Sequence, residues 1–221
     1  MEIRTFTGGR FGENTYLIVG DDRRSAVVVD PGDAAAEVAR KISAEALELQ
    51  AILLTHAHLD HIEGVSDIRA ITPEVPIWLH PDDRELYDAL PQQAAMFGLT
   101  VDPQPAPTDE LVHGQRFESD ACSFEVRFTP GHAAGHVIFV STDENVAISG
   151  DVVFAGSIGR TDLPGGHLQT LMASIRDQVL TLFQLDIHVR EGLIDPLTLH
   201  HKAVVDQNDK ASDRDDCGQN Y

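Results

Sequence analysis

Residues 55–61 read Thr-His-Ala-His-Leu-Asp-His and follow directly on the apolar run 51–54. His56 and His58 are two apart, so on an extended chain both imidazoles leave the same side. Asp60 and His61 come where the chain must turn into the next helix. Three imidazoles and one carboxylate within six residues make a dense set of nitrogen and oxygen donors for Zn2+ or Fe2+. A solvated histidine cluster without metal is the plainer reading, and the strand leading into the motif argues against it.

Two later sites are unremarkable singly. Pro130-Gly131-His132 closes a strand pattern at 123–129, and Ser149-Gly150-Asp151 closes another at 145–149. A histidine at a strand end is commonly a polar cap, and an aspartate there is common turn chemistry. Their weight comes from combination. Each, like the 56–61 cluster, sits just past an apolar strand, the edge where active sites collect in α/β sheets.

The elements that must position these groups are legible as patterns. Stretches 3–7, 15–19, 26–30 and 51–55 are short, rich in β-branched residues and bounded by Gly, Asp and Pro. Residues 34–49 space Val38, Ile42 and Leu49 for one helical face, with Asp33 placed for an N-cap. Residues 62–71 predict a helix ending before Pro73, 75–79 a strand, and 81–90 a helix with Pro81 in its first turn. Residues 100–110, with Pro103, Pro105 and Pro107, form a connector. Strand patterns resume at 116–118, 123–129, 137–141 and 145–149. The strongest helix pattern is 167–183, with Leu168, Leu171, Met172, Ile175, Val179 and Leu182 on one face. Periodicity leaves two architectures open: a generic α+β domain, or two similar α/β halves packed sheet against sheet with helices outside.

The chain has 221 residues, 16 Lys and Arg against 36 Asp and Glu, and a net charge of −20. That charge opposes phosphate backbones and anionic lipid, so neither nucleic acid nor a membrane is an expected partner. The apolar runs are far short of the roughly 20 residues that span a bilayer, and residues 1–15 hold no apolar stretch of a secretory signal. Cys122 and Cys217 make no disulfide framework, so a cytoplasmic protein is expected.

Taken together, the residues resemble the metallo-β-lactamase superfamily. Its histidine-x-histidine-x-aspartate-histidine motif is residues 56–61. Its later histidine is His132 in Thr129-Pro130-Gly131-His132, its bridging aspartate is Asp151, and Val29-Asp30-Pro31-Gly32 matches its early aspartate turn. The resemblance runs from residue 1 to about 183 and is strongest to small, single-domain glyoxalase II-like hydrolases. The segments Gly131-His132-Ala133-Ala134-Gly135-His136, 149–164 and Ala94-Ala95-Met96-Phe97-Gly98 carry that branch's character.

The resemblance implies an α/β fold, an αββα sandwich of two packed mixed sheets with helices outside, over a domain 1–183. It implies a first metal held by His56, His58 and His132, and a second held by Asp60 and His61, with Asp151 bridging. Zn2+, one or two per chain, is the expected metal, with Fe2+ or Mn2+ as alternatives. The implied activity is hydrolysis of a small-molecule thioester such as S-lactoylglutathione. In it a metal-bound hydroxide attacks the carbonyl, Asp60 orients it, and Arg160 is a candidate for a substrate carboxylate.

The resemblance breaks after the long helix. The family supplies one more second-metal histidine from a proline-glycine-histidine-glycine turn, and this sequence has none. The stretch 185–189 is a candidate for the strand leading there, and His188, His200 and His201 are the nearby histidines. Residues 184–221 read as a divergent, largely polar tail, from a true divergent end or a shifted reading frame. The helical region that grips glutathione in full-length glyoxalase II is expected to be missing. A single-iron persulfide dioxygenase using His56, His132 and Asp151 is the alternative enzyme, and a fold kept after its site decayed is the non-enzymatic one.

Overall fold

The computed structural model describes residues 1–182 and the backbone of two further strands, Asp186–Val189 and Gly192–Ile194. Six strands form the first sheet in sequence order: β1 (Glu2–Gly8), β2 (Glu13–Val19), β3 (Ser25–Val29), β4 (Glu48–Leu53), β5 (Ile77–Leu79) and β6 (Asp109–Glu110). The first three are antiparallel, and β3 to β6 run parallel. The second sheet holds β7 (Arg116–Glu118), β8 (Ser123–Phe128), β9 (Val137–Ser141) and β10 (Val146–Ile148) as an antiparallel run. A small hairpin, β11 (Val153–Phe154) with β12 (Ser157–Ile158), follows. The second sheet then continues from β10 into β13 (Asp186–Val189), which is parallel to β10, and β14 (Gly192–Ile194).

Alternation along the strands sorts the core into three layers. In β2, Tyr16 and Ile18 face the second sheet while Leu17 and Val19 face the helices. In β3, Val27 and Val29 take the inner face and Ala26 and Val28 the outer. In β9, Val137 and Phe139 point to the first sheet and Ile138 and Val140 to a helix beyond. The outer layer on the first sheet includes α1 (Ala35–Glu45), α2 (Leu59–Ile62) and α3 (Val65–Ile71). The segment between β5 and β6 adds a 3-10 turn at Pro81–Asp83, α4 (Arg84–Asp88) and α5 (Leu90–Met96). The second sheet is covered by α6 (Leu168–Ser174), which continues as a wider π-type turn over Ile175–Val179. The architecture is the αββα sandwich.

Several elements differ from the periodicity. The helix expected over 34–49 stops at Glu45, where Ala46 takes a left-handed conformation (φ 51°). Leu47 N–H then closes the helix end onto Ile42 C=O at 3.0 Å. Leu49 is therefore buried from β4, which begins at Glu48. Asp33 does not cap α1; Ala34 occupies that position without a side-chain cap, and Ala35 N–H bonds Gly32 C=O. The helix expected over 62–71 is two pieces, α2 and α3. On α6, Leu171 together with Ile175, Val179 and Leu182 is buried, but Leu168 and Met172 are exposed. The π-type turn adds a residue to one helical repeat and rotates the apolar stripe, leaving that N-terminal pair off the packed face. Among the described residues, no helix is long and apolar enough to cross a membrane.

Candidate metal centre

Three strand ends deliver the predicted donors to one edge of the sandwich. The segment after β4 carries His56, His58, Asp60 and His61, that after β8 carries His132, and that after β10 carries Asp151. Thr55 C=O accepts from Val137 N–H at 2.8 Å, tying the end of β4 to the start of β9 across the two sheets. Gly150 has φ 49°, a left-handed conformation, and a Cβ there would meet Thr55 Oγ1 at 2.6 Å and His136 Nε2 at 2.9 Å. Only glycine fits the turn that aims Asp151.

The donor atoms converge. His132 Nε2 lies 2.8 Å from His58 Nδ1 and 3.2 Å from His56 Nε2. His61 Nε2 lies 3.3 Å from Asp151 Oδ1 and 3.9 Å from Asp60 Oδ2, and His132 Nε2 lies 3.7 Å from Asp151 Oδ2. Two buried sets could each hold a metal ion: His56, His58 and His132, and His56, His61 and Asp151. Their donor atoms fall within 4.8 Å of one another. Asp60 stands beside the second set, its side chain partly open to solvent.

Hydrogen bonds around the centre set the imidazole tautomers, assigned here from the partners present. His56 Nδ1 donates to Thr55 Oγ1 (3.0 Å), His132 Nδ1 to Arg160 C=O (2.8 Å) and His61 Nδ1 to Asp30 Oδ2 (3.0 Å). All three Nε2 lone pairs are thereby directed to the centre. Asp30 also accepts from Thr55 N–H (2.7 Å) and Thr55 Oγ1–H (2.6 Å), with its backbone at φ 49°. Its carboxylate thus braces the start of the motif against its end.

Electrostatics divide the centre in two. Burial pushes His56 and His136 well below the usual imidazole range, His58 down to about 3, and His132 down as well. These four rings are neutral at pH 7, and His56, His58 and His132 among them belong to the donor sets. Burial lowers His61 too, but Asp151, Asp60 and Asp30 together outweigh it and raise the ring well above its ordinary value.

The arrangement fits a divalent cation. His56 and His132 spend their N–H groups elsewhere, so their Nε2 lone pairs face each other at 3.2 Å without a proton between them. Buried His61 Nε2 makes no hydrogen bond although two carboxylates stand beside it. A cation would satisfy both features.

Phe11, Leu59, Gln93, Phe97, Arg160 and Leu163 wall a cavity of about 100 Å³ above His58, Asp60, His132 and Asp151. Phe11 and Phe97 meet edge to face with ring centroids 5.1 Å apart. Arg160 lines the cavity while its guanidinium makes a two-bond pair with Asp162, both at 2.7 Å. Its carbonyl is the part that supports His132.

The structure brings together all six predicted ligands and adds Asp83 and Gln93, which the sequence does not single out. Asp83 is fully buried, and burial pushes its carboxyl up to about 6 although Gly135 and Ala57 N–H groups oppose the shift. Gln93 donates to Ala57 C=O and accepts from Leu59 N–H, holding the peptides on both sides of His58. His136 stacks on His56 and accepts from Asp151 N–H at 3.2 Å. His188 belongs to β13, whose C-terminal end lies at the same sheet edge as the end of β10. His200, His201 and residues 195–221 lie outside the described residues.

Glu13 is buried with Oε2 lacking a hydrogen bond. Burial raises its carboxyl well above 4.5, against the pull of His61. A carboxyl with a raised folded-state pKa stabilises most below its unfolded value and loses that contribution as pH rises towards the folded one. Glu13→Gln removes this loss. In metal-free protein its stability advantage over wild type is expected to grow above pH 4.5 by about 1.4 kcal/mol per pH unit, roughly 3–5 °C in Tm. Paired melting curves at pH 5 and pH 6 check this; an advantage that stays constant would contradict it.

The sequence profile described as the metallo-beta-lactamase superfamily matches residues 8–190. The chain belongs to that superfamily. A hydroxyacylglutathione hydrolase, GloC of Haemophilus influenzae, is 37% identical to this superfamily member over 184 residues, covering 82% of this chain and 86% of the relative. A probable metallo-hydrolase, YqgX of Bacillus subtilis, is 37% identical over 185 residues, covering 82% and 85%. Among solved structures, TTHA1623 in a di-iron-bound form matches with a TM-score of 0.76 at 35% identity, covering 86% of this chain and 91% of that one. The B3 metallo-beta-lactamase BLEG-1 matches with a TM-score of 0.80 at 33% identity, covering 88% and 94%.

Proposed function

We propose that the protein is a metal-dependent hydrolase of small thioesters, S-lactoylglutathione among them, with Zn2+ as the expected metal and Fe2+ or Mn2+ as substitutes. The observation that carries this reading is the convergence of histidine and aspartate donors at one sheet edge, with His58, Asp60, His132 and Asp151 at the floor of a small cavity. The likeness to GloC supports the choice of thioester.

Bound divalent metal would supply the acidity of the attacking water and stabilise charge on the carbonyl oxygen. The chain's own residues do the rest. His56, His58 and His132 would hold the first position, and His61, Asp60 and Asp151 would hold the second. Phe11, Phe97 and Leu163 exclude bulk water from the acyl group. Asp60, partly open to the cavity beside His61, accepts a hydrogen bond from the attacking water and orients it. The thiol leaves as a thiolate with a pKa of about 8.5, so the site needs no strong general acid.

Asp60→Asn keeps the shape but weakens the acceptor, and kcat for thioester hydrolysis is expected to fall roughly 10²–10⁴-fold. Steady-state assay of a lactoyl, acetyl and aromatic acyl-thioester series tests the reading; unchanged kcat in the variant would remove Asp60 from the reaction. The persulfide dioxygenase reading has its own support, because His56, His132 and Asp151 also lie together. It predicts one iron per chain and oxygen consumption with a persulfide.

A further inference from the structure

The helical segment between β5 and β6 reaches both ligand-bearing loops. Asp83, fully buried at the end of its 3-10 turn, accepts from Ala57 N–H through Oδ2 at 2.9 Å. Its Oδ1 accepts from Gly135 N–H at 2.5 Å. Ala57 lies between His56 and His58 beyond the first sheet; Gly135 lies three residues after His132 beyond the second. One carboxylate therefore joins the two loops that carry the first donor set. Two amide donors aimed at one side chain require two acceptors, which a carboxylate has and an asparagine lacks. A Cβ on Gly135 would stand 2.6 Å from Asp83 N and 2.9 Å from its Cβ and Cγ, so the loop can come this close only as glycine. Burying a carboxylate for packing alone is unfavourable, which argues that the group is retained for the bonds it makes.

We infer that Asp83 is a positioning residue of the metal centre. Its carboxylate staples the 56–58 loop to the 132–135 loop and holds His58 Nδ1 and His132 Nε2 at 2.8 Å before a cation arrives. The inference rests on the metal-binding reading of the site, and it concerns affinity and ligand geometry rather than turnover.

The test is Co2+ titration of metal-free protein, reading the dissociation constant and the visible ligand-field band. Asp83→Ala is expected to weaken binding at least about 10-fold and to shift the band. Asp83→Asn, which keeps one acceptor, should fall between it and wild type. Gly135→Ala should also weaken binding although the carboxylate remains, and it carries the test if Asp83→Ala fails to fold. Tyr87→Phe is the control, because it loses a hydrogen bond to Pro105 C=O in the same segment without touching either loop. It should lower Tm and leave Co2+ binding unchanged. Wild-type affinity and band in both Asp83→Ala and Gly135→Ala would overturn the inference, as would an equal loss in Tyr87→Phe. Failure of wild type to bind Co2+ would instead overturn the metal reading, and the positioning role with it.

Discussion

His56→Ala should leave the protein with almost no bound metal and lower kcat/KM for thioester hydrolysis by at least about 10³-fold. His56 stands in both buried donor sets and its one free ring nitrogen, Nε2, can serve either, so its removal weakens both. Its ring also sits within the imidazole cluster, with centroids 4.1 Å from His61, 4.8 Å from His58 and His132, and 4.7 Å from stacked His136. His58→Ala is the informative comparison. It empties one position of the first set and leaves His56, His61 and Asp151 in place, so part of the metal should remain. Metal per chain by mass spectrometry separates the two variants. Equal retention by both would mean that His56 is not shared.

The second large effect is expected at Asp30, which is all but fully buried and contacts no metal position itself. Its two oxygens accept from Thr55 N–H, Thr55 Oγ1–H and His61 Nδ1–H. Asp30→Ala leaves three donors at the base of the site without acceptors. A buried donor left unpaired costs about 1–3 kcal/mol, and breaking such a buried charged network costs roughly 3–5 kcal/mol in total. That is a large part of the roughly 5–15 kcal/mol that holds a domain together. Tm should fall by about 6–20 °C. His61 also loses the bond that sets its tautomer, so the second metal should bind more weakly than the first. Asp30→Asn keeps the volume but turns one acceptor into a donor, so it should recover only part of the loss. A variant that melts within 2 °C of wild type would show that the brace carries little of the fold.

What the sequence disclosed follows from the range of each interaction. His56, His58, Asp60 and His61 are legible because six consecutive residues carry the pattern and the strand before them is apolar. β7 and β9 fall where alternation puts them, and the two-sided apolar strands β2 and β3 match a sheet covered on both faces. Asp83 was not legible. In Pro81-Asp82-Asp83 it looks like one more surface acid, and its role depends on Ala57 and Gly135, which are distant in sequence. Gln93 and Glu13 are hidden for the same reason. Arg160 was singled out for its side chain, yet its carbonyl supports His132, and a main-chain contact leaves no mark on residue type. Leu168 and Met172 misled because a π-type turn changes the helical phase without a sequence signal of its own. The histidine turn expected after the long helix is absent from the sequence itself, and Arg190 and Glu191 after β13 lie outside the described residues.

Reloading metal-stripped protein with Zn2+ in measured steps, and following S-lactoylglutathione hydrolysis at each step, tests whether the centre is that of a metal-dependent thioester hydrolase. Hydrolysis should be absent without metal, rise with loading and level off at two equivalents per chain, with His56→Ala inactive throughout. A plateau at two would place both metal positions, His56 with His58 and His132, and His61 with Asp60 and Asp151, in the working enzyme. No hydrolysis at any Zn2+ loading, alongside oxygen consumption supported by a single iron, would contradict the hydrolase reading.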